Sequence, residues 1–141
     1  MTLPPTAQQP TPASWAEKAR QVVAKGYTAI KFDIDNIAPE RFCDPYHVSA
    51  GWGKGWLEGQ QRPVCREEMD LIVALVAAVR EAIGPNIDLA LDCHWNYNTR
   101  DVITLARELA PFKPMWLEDP TPPDNIEALK RVTDQSPVPI C

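Results

Sequence analysis

The sequence predicts an α/β fold of about four parallel strands joined by crossover helices, which amounts to a partial TIM (β/α)8 barrel. Short apolar runs of strand length alternate with segments whose apolar residues recur every three or four positions, as on one face of a helix. Strand starts at positions 87, 115 and 138 lie 28 and 23 residues apart, which suits βα repeats. The chain has 141 residues, whereas a whole barrel needs about 250.

The first helix and the first strand occupy residues 11 to 33. The run Thr11-Pro12-Ala13-Ser14 opens the helix because proline suits a first turn, and a capping box is expected from Ser14 to Glu17. Gly26 ends the helix, since glycine readily adopts the left-handed backbone found after many helices. Residues 27–33, Tyr-Thr-Ala-Ile-Lys-Phe-Asp, then form a strand.

Two segments lack a sustained period. Residues 1–11 are rich in Pro, Thr and Gln, and we expect them to form a disordered N-terminal tail before a domain over 12–141. Residues 34–65 contain four glycines, with Trp52 and Trp56 among them. A loop of this length is usually functional or mobile, but its sequence indicates no particular chemistry.

The second half of the chain repeats the alternation of helix and strand. The clearest helix, Arg66 to Ile83, has apolar residues at spacings of three and four and ends at Gly84-Pro85. We therefore expect a domain truncated at both ends, running from the first helix of a barrel into its fifth strand. The remaining predicted elements are a strand over 87–92, a helix capped by Thr99, a strand over 115–118, a helix capped by Asp124 and a last strand starting at Pro137.

Composition argues against several classes of protein. The net charge of −5 disfavours a general nucleic-acid binder, which needs a basic face. No run of about 18 apolar residues indicates a membrane span, and the first residues lack the basic and apolar regions of a signal peptide. The four cysteines include no Cys-x-x-Cys pair, which disfavours a zinc knuckle and favours a reducing cytoplasm.

Two carboxylates end two of the predicted strands. Asp92 closes the strand over 87–92, and Glu118 closes the strand over 115–118. The C-terminal ends of parallel strands face one mouth, where ligands and catalytic groups collect, so we expect the two carboxylates to converge there. A hard divalent cation such as Mg²⁺ takes oxygen ligands of this kind. Either residue alone could instead cap the following helix or face solvent.

Further polar residues lie near the same strand ends. Lys31 and Asp33 are two positions apart and therefore share one face of the first strand. His94 lies two positions after Asp92, just beyond its strand. A lysine in an apolar strand needs a partner, and Asp33 is one candidate. His94 beside Trp95 could equally be a packed or surface histidine.

Three segments follow one another in a recognisable order. They are residues 26–33 (Gly-Tyr-Thr-Ala-Ile-Lys-Phe-Asp), 91–94 (Leu-Asp-Cys-His) and 116–120 (Trp-Leu-Glu-Asp-Pro). Together they resemble the enolase superfamily, in its mandelate racemase/muconate lactonizing branch, over about residues 12–141. The resemblance implies that Asp92 and Glu118 bind Mg²⁺, and that a third acidic ligand ends the next strand, beyond Cys141.

The same resemblance favours a dehydratase of sugar acids. The family often carries Lys-x-Lys at the second barrel strand, and its second lysine is a base in racemases; here the segment reads Lys31-Phe32-Asp33. The Asp-x-His at 92–94 resembles acid-sugar dehydratases, in which the matching histidine is a general acid. The resemblance thus implies catalytic roles for His94, Lys31 and Asp33, with Lys31 holding the substrate carboxylate and a His-Asp base on later strands.

The predicted reaction removes a proton α to a carboxylate and then expels a β-hydroxyl group from a small sugar acid. Mg²⁺ would stabilise the enediolate, and His94 would protonate the departing oxygen. A racemase or cycloisomerase of the same branch is one alternative, and a non-catalytic interaction module is another. Full-length relatives are expected to be homo-oligomers.

Overall fold

A computed structural model describes residues 10–35, 37 and 63–141. The expected tail at 1–11 and the expected loop at 34–65 lie mostly outside the described residues. None of the helices among the described residues is long and apolar enough to cross a membrane. The elements are α1 (Pro12–Ala24), β1 (Ala29–Asp33), α2 (Arg66–Ile83), β2 (Asp88–Asp92), α3 (Thr99–Leu109), a 3-10 turn (Ala110–Phe112), β3 (Trp116–Glu118) and α4 (Ile126–Gln135).

The strands form a parallel sheet in the order β1-β2-β3. A fourth segment joins β3, because Leu117 and Ile140 form a parallel bridge and the Cys141 amide donates a hydrogen bond to the Leu117 carbonyl at 2.9 Å. The strand predicted from Pro137 is thus present as a single bridge. Parallel strands with helical crossovers are the architecture of a partial (β/α)8 barrel, as the sequence predicted.

The two faces of this sheet have different surroundings. Leu89 and Leu91 of β2 are fully buried, as is Leu117 of β3, and they belong to the apolar core that includes residues of the helices. Residues alternate between the faces of a strand, so the opposite face carries Lys31 and, at the strand ends, the carboxylates. On the core side Trp15 of α1 stacks on Phe32 of β1, with ring centroids 4.8 Å apart.

The helix starts differ from the predicted caps by a few residues. The capping box of α1 joins Thr11 and Ser14, so the predicted box from Ser14 to Glu17 was wrong. Asn98 caps α3 and Asn125 caps α4, because each amide oxygen accepts from a backbone amide three residues on. The predicted caps Thr99 and Asp124 each lie one residue away from the residue that does this.

Glycines end two helices as predicted. Gly26 has φ +88° and Gly84 has φ +71°, a left-handed backbone that costs glycine no steric strain. The chain can therefore reverse quickly from each helix into the next strand. These reversals lead into β1 and β2, which pair in the same direction.

Candidate active site at the strand ends

The carboxyl ends of the three strands carry three aligned carboxylates. Asp33 pairs with Asp92 across β1 and β2, and Asp92 pairs with Glu118 across β2 and β3. Residues paired in this way point to the same face of a parallel sheet. The predicted convergence of Asp92 and Glu118 at one edge of the sheet is therefore present.

Lys31 bridges two of these carboxylates. Its Nζ donates to Asp92 Oδ2 at 2.7 Å and to Glu118 Oε1 at 2.9 Å. The lysine therefore points into the predicted mouth, but its ion-pair partners are Asp92 and Glu118. The suggestion that Asp33 is that partner was wrong, because the long lysine side chain reaches from β1 to Asp92 on β2 and to Glu118 on β3.

The electrostatics follow from burial. Asp92 is only 4% exposed, so its charge has little water around it and needs a compensating cation. The pKa of Lys31 is raised well above its usual range, mainly by its hydrogen bond to Asp92 and secondly by its hydrogen bond to Glu118, so the ammonium stays charged. The lysine side chain remains 43% exposed, and its head group is accessible from the mouth.

Trp116 holds the second oxygen of Glu118. The indole Nε1 donates to Glu118 Oε2 at 3.0 Å, while Oε1 accepts from Lys31. Trp116 lies two positions before Glu118 on the same strand, so the two side chains share a face. The strand over 115–118 was predicted from the sequence, but this contact between its side chains was not.

His94 lies beside Asp92 with two carboxylates around its ring. Its Nδ1 is 3.0 Å from Asp35 Oδ1, and its Nε2 is 3.6 Å from Asp92 Oδ2. Its backbone amide donates to Asp92 Oδ1 at 3.1 Å. Burial lowers the pKa of His94, but the hydrogen bond to Asp35 and the negative charges of Asp35, Asp92 and Asp33 outweigh it, so the pKa is raised.

The sequence analysis missed Asp35. The available signal was the alternation of Lys31, Asp33 and Asp35, three charged residues spaced two apart at one strand end. Asp35 lies beyond the last residue of β1, so strand periodicity alone does not give its direction. Its side chain is 6% exposed and receives a hydrogen bond from Asn96 Nδ2 on its second oxygen.

The backbone at these strand ends is strained. His94, Trp95 and Asp119 all have positive φ, between 44° and 58°, which residues other than glycine seldom adopt. The Trp95 amide donates to the Asp119 carbonyl at 2.6 Å, which ties the turn after β2 to the turn after β3. Such strain costs free energy and tends to occur at functional sites.

Possible metal ligands cluster here among the described residues. One ligand atom from each of Asp33, Asp92 and His94 lies within 4.8 Å of the others. This group shares Asp92 with the predicted pair Asp92 and Glu118. The three carboxylates offer the hard oxygen donors that Mg²⁺ prefers, whereas an imidazole suits transition metals better. Asp92 and Glu118 already converge on one cation, the Lys31 ammonium, so the donor set fits a hard cation.

Comparison with known protein families agrees with the geometry of the strand ends. The model of the enolase C-terminal domain-like family matches residues 14–141. The chain belongs to this family. The resemblance predicted from residues 26–33, 91–94 and 116–120 is therefore confirmed. Enzymes of the enolase superfamily generally use a divalent metal ion, and the acidic cluster described above is a possible site for one.

The chain is similar to sugar-acid dehydratases. It is 37% identical to D-xylonate dehydratase of Haloferax volcanii over 136 residues, which are 96% of this chain and 29% of that protein. It is 29% identical to D-gluconate dehydratase of Thermoproteus tenax over 120 residues, which are 85% of this chain and 20% of that protein. The chain thus spans less than a third of the length of either relative.

A solved structure supports the fold. The mandelate racemase/muconate lactonizing enzyme-like protein from Rubrobacter xylanophilus superposes with a TM-score of 0.74 at 35% identity. The match covers 95% of this chain and 30% of that protein. The α/β fold and the partial barrel predicted from the sequence are confirmed, while the roles of Lys31, Asp33, Asp92, His94 and Glu118 stay predictions.

Proposed function

We propose that this chain is part of a Mg²⁺-dependent dehydratase that acts on a small sugar acid. The observation that carries the proposal is the position of His94, whose Nε2 lies 3.6 Å from Asp92, one of the two carboxylates that Lys31 bridges. A proton donor, a fixed ammonium and oxygen donors at one mouth are three of the groups that elimination from a carboxylic acid requires, and a base for the α proton is the fourth. The similarity to two sugar-acid dehydratases supports the choice of substrate class.

The residues divide the chemistry among them. The Lys31 ammonium binds the substrate carboxylate, and Asp33 lies nearby on the same strand. When a base removes the α proton, negative charge develops on that carboxylate. A Mg²⁺ ion held by Asp92 and Glu118 would supply the main stabilisation of this charge. His94 then donates the proton that turns the departing hydroxyl group into water.

Three further features of the protein are also proposals. We propose that the base and a third acidic ligand lie on later strands of the barrel, as the family resemblance implies. The absence of a spanning helix among the described residues agrees with the proposal of a cytoplasmic enzyme. A homo-oligomeric assembly is proposed from the resemblance alone.

The test uses the complete reading frame that contains this chain. The purified protein is assayed on a panel of sugar acids for 2-keto-3-deoxy products, with Mg²⁺ and with EDTA. We expect Mg²⁺-dependent turnover, and we expect Asp92→Asn and Glu118→Gln to lower kcat/KM by at least about 100-fold, because each removes a charge on which the transition state depends. Asp88→Asn is the matched control, since Asp88 is exposed at the opposite end of β2.

The outcomes separate the alternatives. Exchange of the α proton without loss of water would favour a racemase. Isomerisation without loss of water would favour a cycloisomerase. If neither the wild type nor any variant turns over a sugar acid of the panel, with Mg²⁺ or with EDTA, a non-catalytic module would be favoured. Any one of these three results would contradict the proposed dehydratase.

A further inference from the structure

We propose that Asp35 is a positioning residue that fixes the ring of His94 so that only Nε2 faces the mouth. The inference rests on the proposed function, because it concerns the general acid of that reaction. It assigns a role to a residue that the predicted set of site residues does not contain.

The hydrogen bond defines the tautomer of the ring. An ionised carboxylate only accepts hydrogen bonds, so the 3.0 Å contact between Asp35 Oδ1 and His94 Nδ1 requires the hydrogen on Nδ1. Nε2 then becomes the atom that gains and loses a proton. It lies 3.6 Å from Asp92 Oδ2, on the side of the bridged carboxylates.

Asp35 is itself held in place. Asn96 donates to its second oxygen, so both oxygens of the carboxylate are engaged. The adjacent Ile34 donates its backbone amide to the Asp92 carbonyl at 2.9 Å. The buried Tyr97 hydroxyl donates to the Ile34 carbonyl at 2.8 Å. These contacts tie the end of β1 to the turn after β2, which carries the histidine.

The arrangement suits repeated proton donation. During elimination a base takes the α proton, the electrons of that C–H bond form the C=C bond, and the C–O bond breaks with its electron pair on oxygen. The proton on His94 Nε2 completes a water molecule. The neutral ring keeps its Nδ1 hydrogen on Asp35, so Nε2 can be protonated again without a ring flip.

The first experiment measures two rates in the complete protein in D2O. Asp35→Asn should lower the rate of dehydration roughly ten- to hundredfold, as is typical for carboxylates that orient functional histidines. Exchange of the α proton uses a different group and should fall much less, so the ratio of exchange to dehydration should rise. A 3-deoxy-3-fluoro substrate, whose fluoride leaves with less help from an acid, should restore most of the elimination.

The control and a second variant keep the test decisive. Asp134→Asn removes a carboxylate whose side chain is 58% exposed on α4 and should leave the ratio unchanged. Asn96→Ala loosens Asp35 without removing it and should shift the ratio in the same direction by a smaller factor. If both Asp35→Asn and Asn96→Ala lower exchange and dehydration equally, Asp35 has only a structural role and the inference is wrong.

An independent measurement does not depend on activity. Nitrogen-15 NMR of labelled histidine, assigned with His94→Gln, should show His94 protonated at Nδ1 when neutral, and mixed tautomers in Asp35→Asn. The expected tautomer in a protein that dehydrates no acid would leave the orientation standing and refute the proposed function. Dehydration with the hydrogen of neutral His94 on Nε2 would refute the inference and leave the proposed function standing.

Discussion

At the scale of single residues, the site is organised by cations and donors that occupy both oxygens of Asp92 and both oxygens of Glu118. Lys31 lies between Asp92 and Glu118, and Trp116 takes the remaining oxygen of Glu118. The contacts of Lys31 join residues that are distant in sequence, whereas Trp116 and Glu118 lie two positions apart on one strand. The removal of one donor should therefore have effects that depend on whether a metal ion is present.

Replacing Lys31 with methionine leaves the buried Asp92 carboxylate facing Glu118 without the ammonium. We expect this change to lower the free energy of unfolding in EDTA by about 1 kcal/mol, a modest value because the lysine side chain is partly exposed. The gain in the free energy of unfolding on adding Mg²⁺ should be larger for the variant than for the wild type. Thermal unfolding of the complete protein in EDTA and in Mg²⁺ measures this.

The matched control for that prediction is Lys130→Met. Lys130 pairs with Asp134 across one turn of α4, and its side chain is 65% exposed. Its removal should change stability by less than about 0.5 kcal/mol, with no dependence on Mg²⁺. Equal responses of the two variants to Mg²⁺ would contradict the proposed link between Lys31 and the metal site.

Replacing Trp116 with phenylalanine keeps an aromatic ring and removes the N–H that holds Glu118. We expect the Kd for Mg²⁺ to rise roughly tenfold, since partners that orient metal ligands typically contribute this much to affinity. Isothermal titration calorimetry on the complete protein measures the change. Tyr27→Phe, at an exposed aromatic residue before β1, serves as control; an unchanged Kd in Trp116→Phe would remove Trp116 from the site.

At the scale of elements, Arg80 joins the end of α2 to the segments around it. Its guanidinium donates to the carbonyls of Ile87 at 2.7 Å, Phe112 at 2.8 Å and Gly84 at 2.9 Å. These carbonyls belong to the turn after α2, the entry to β2 and the 3-10 turn. Burial removes water from the Arg80 guanidinium and so lowers its pKa.

We expect Arg80→Ala to lower the free energy of unfolding by about 2 to 3 kcal/mol, because several carbonyls lose a charged donor at once. Arg80→Lys should recover less than half of the loss, since an ammonium lacks the planar fork of donors. Chemical denaturation of the complete protein tests both variants, and the exposed Arg131→Ala is the control. Full recovery by lysine would show that charge alone matters.

Sequence periodicity was sufficient for the elements and for part of the site. The apolar spacing in α2 and the closing glycines Gly26 and Gly84 predict where helices end, because these are local effects. Strand phase likewise predicts that Lys31 and Asp33 share one face and that Asp92 and Glu118 converge at one mouth, but it does not predict the ion pair between Lys31 and Asp92. The predicted caps of α3 and α4 were wrong by one residue, because Asn, Thr and Asp all have side-chain oxygens that can cap a helix. The Asp35–His94 contact joins residues 59 apart beyond the strand ends, where no period applies.

At the scale of the whole molecule, the described residues form a three-stranded sheet extended by one bridge at Ile140. A closed barrel has eight strands and no free edges. The sheet face that carries Lys31 and the carboxylates would line the interior of such a barrel. The strands that would complete such a barrel therefore bear on both the solubility and the activity of the isolated chain.

We expect the isolated 141-residue chain to be inactive on sugar acids and to associate or precipitate. Within the described residues the sheet ends at β1 on one side and at the bridge to Ile140 on the other, and strand edges of this kind favour association. Mg²⁺ gives up its water reluctantly, so Asp92 and Glu118 alone should bind it only weakly. Dehydration assays and sedimentation, run beside the complete reading frame, measure both effects. Metal-dependent turnover by the short chain would contradict this prediction, and would mean that the base and the remaining ligand come from the chain itself or from a second copy of it.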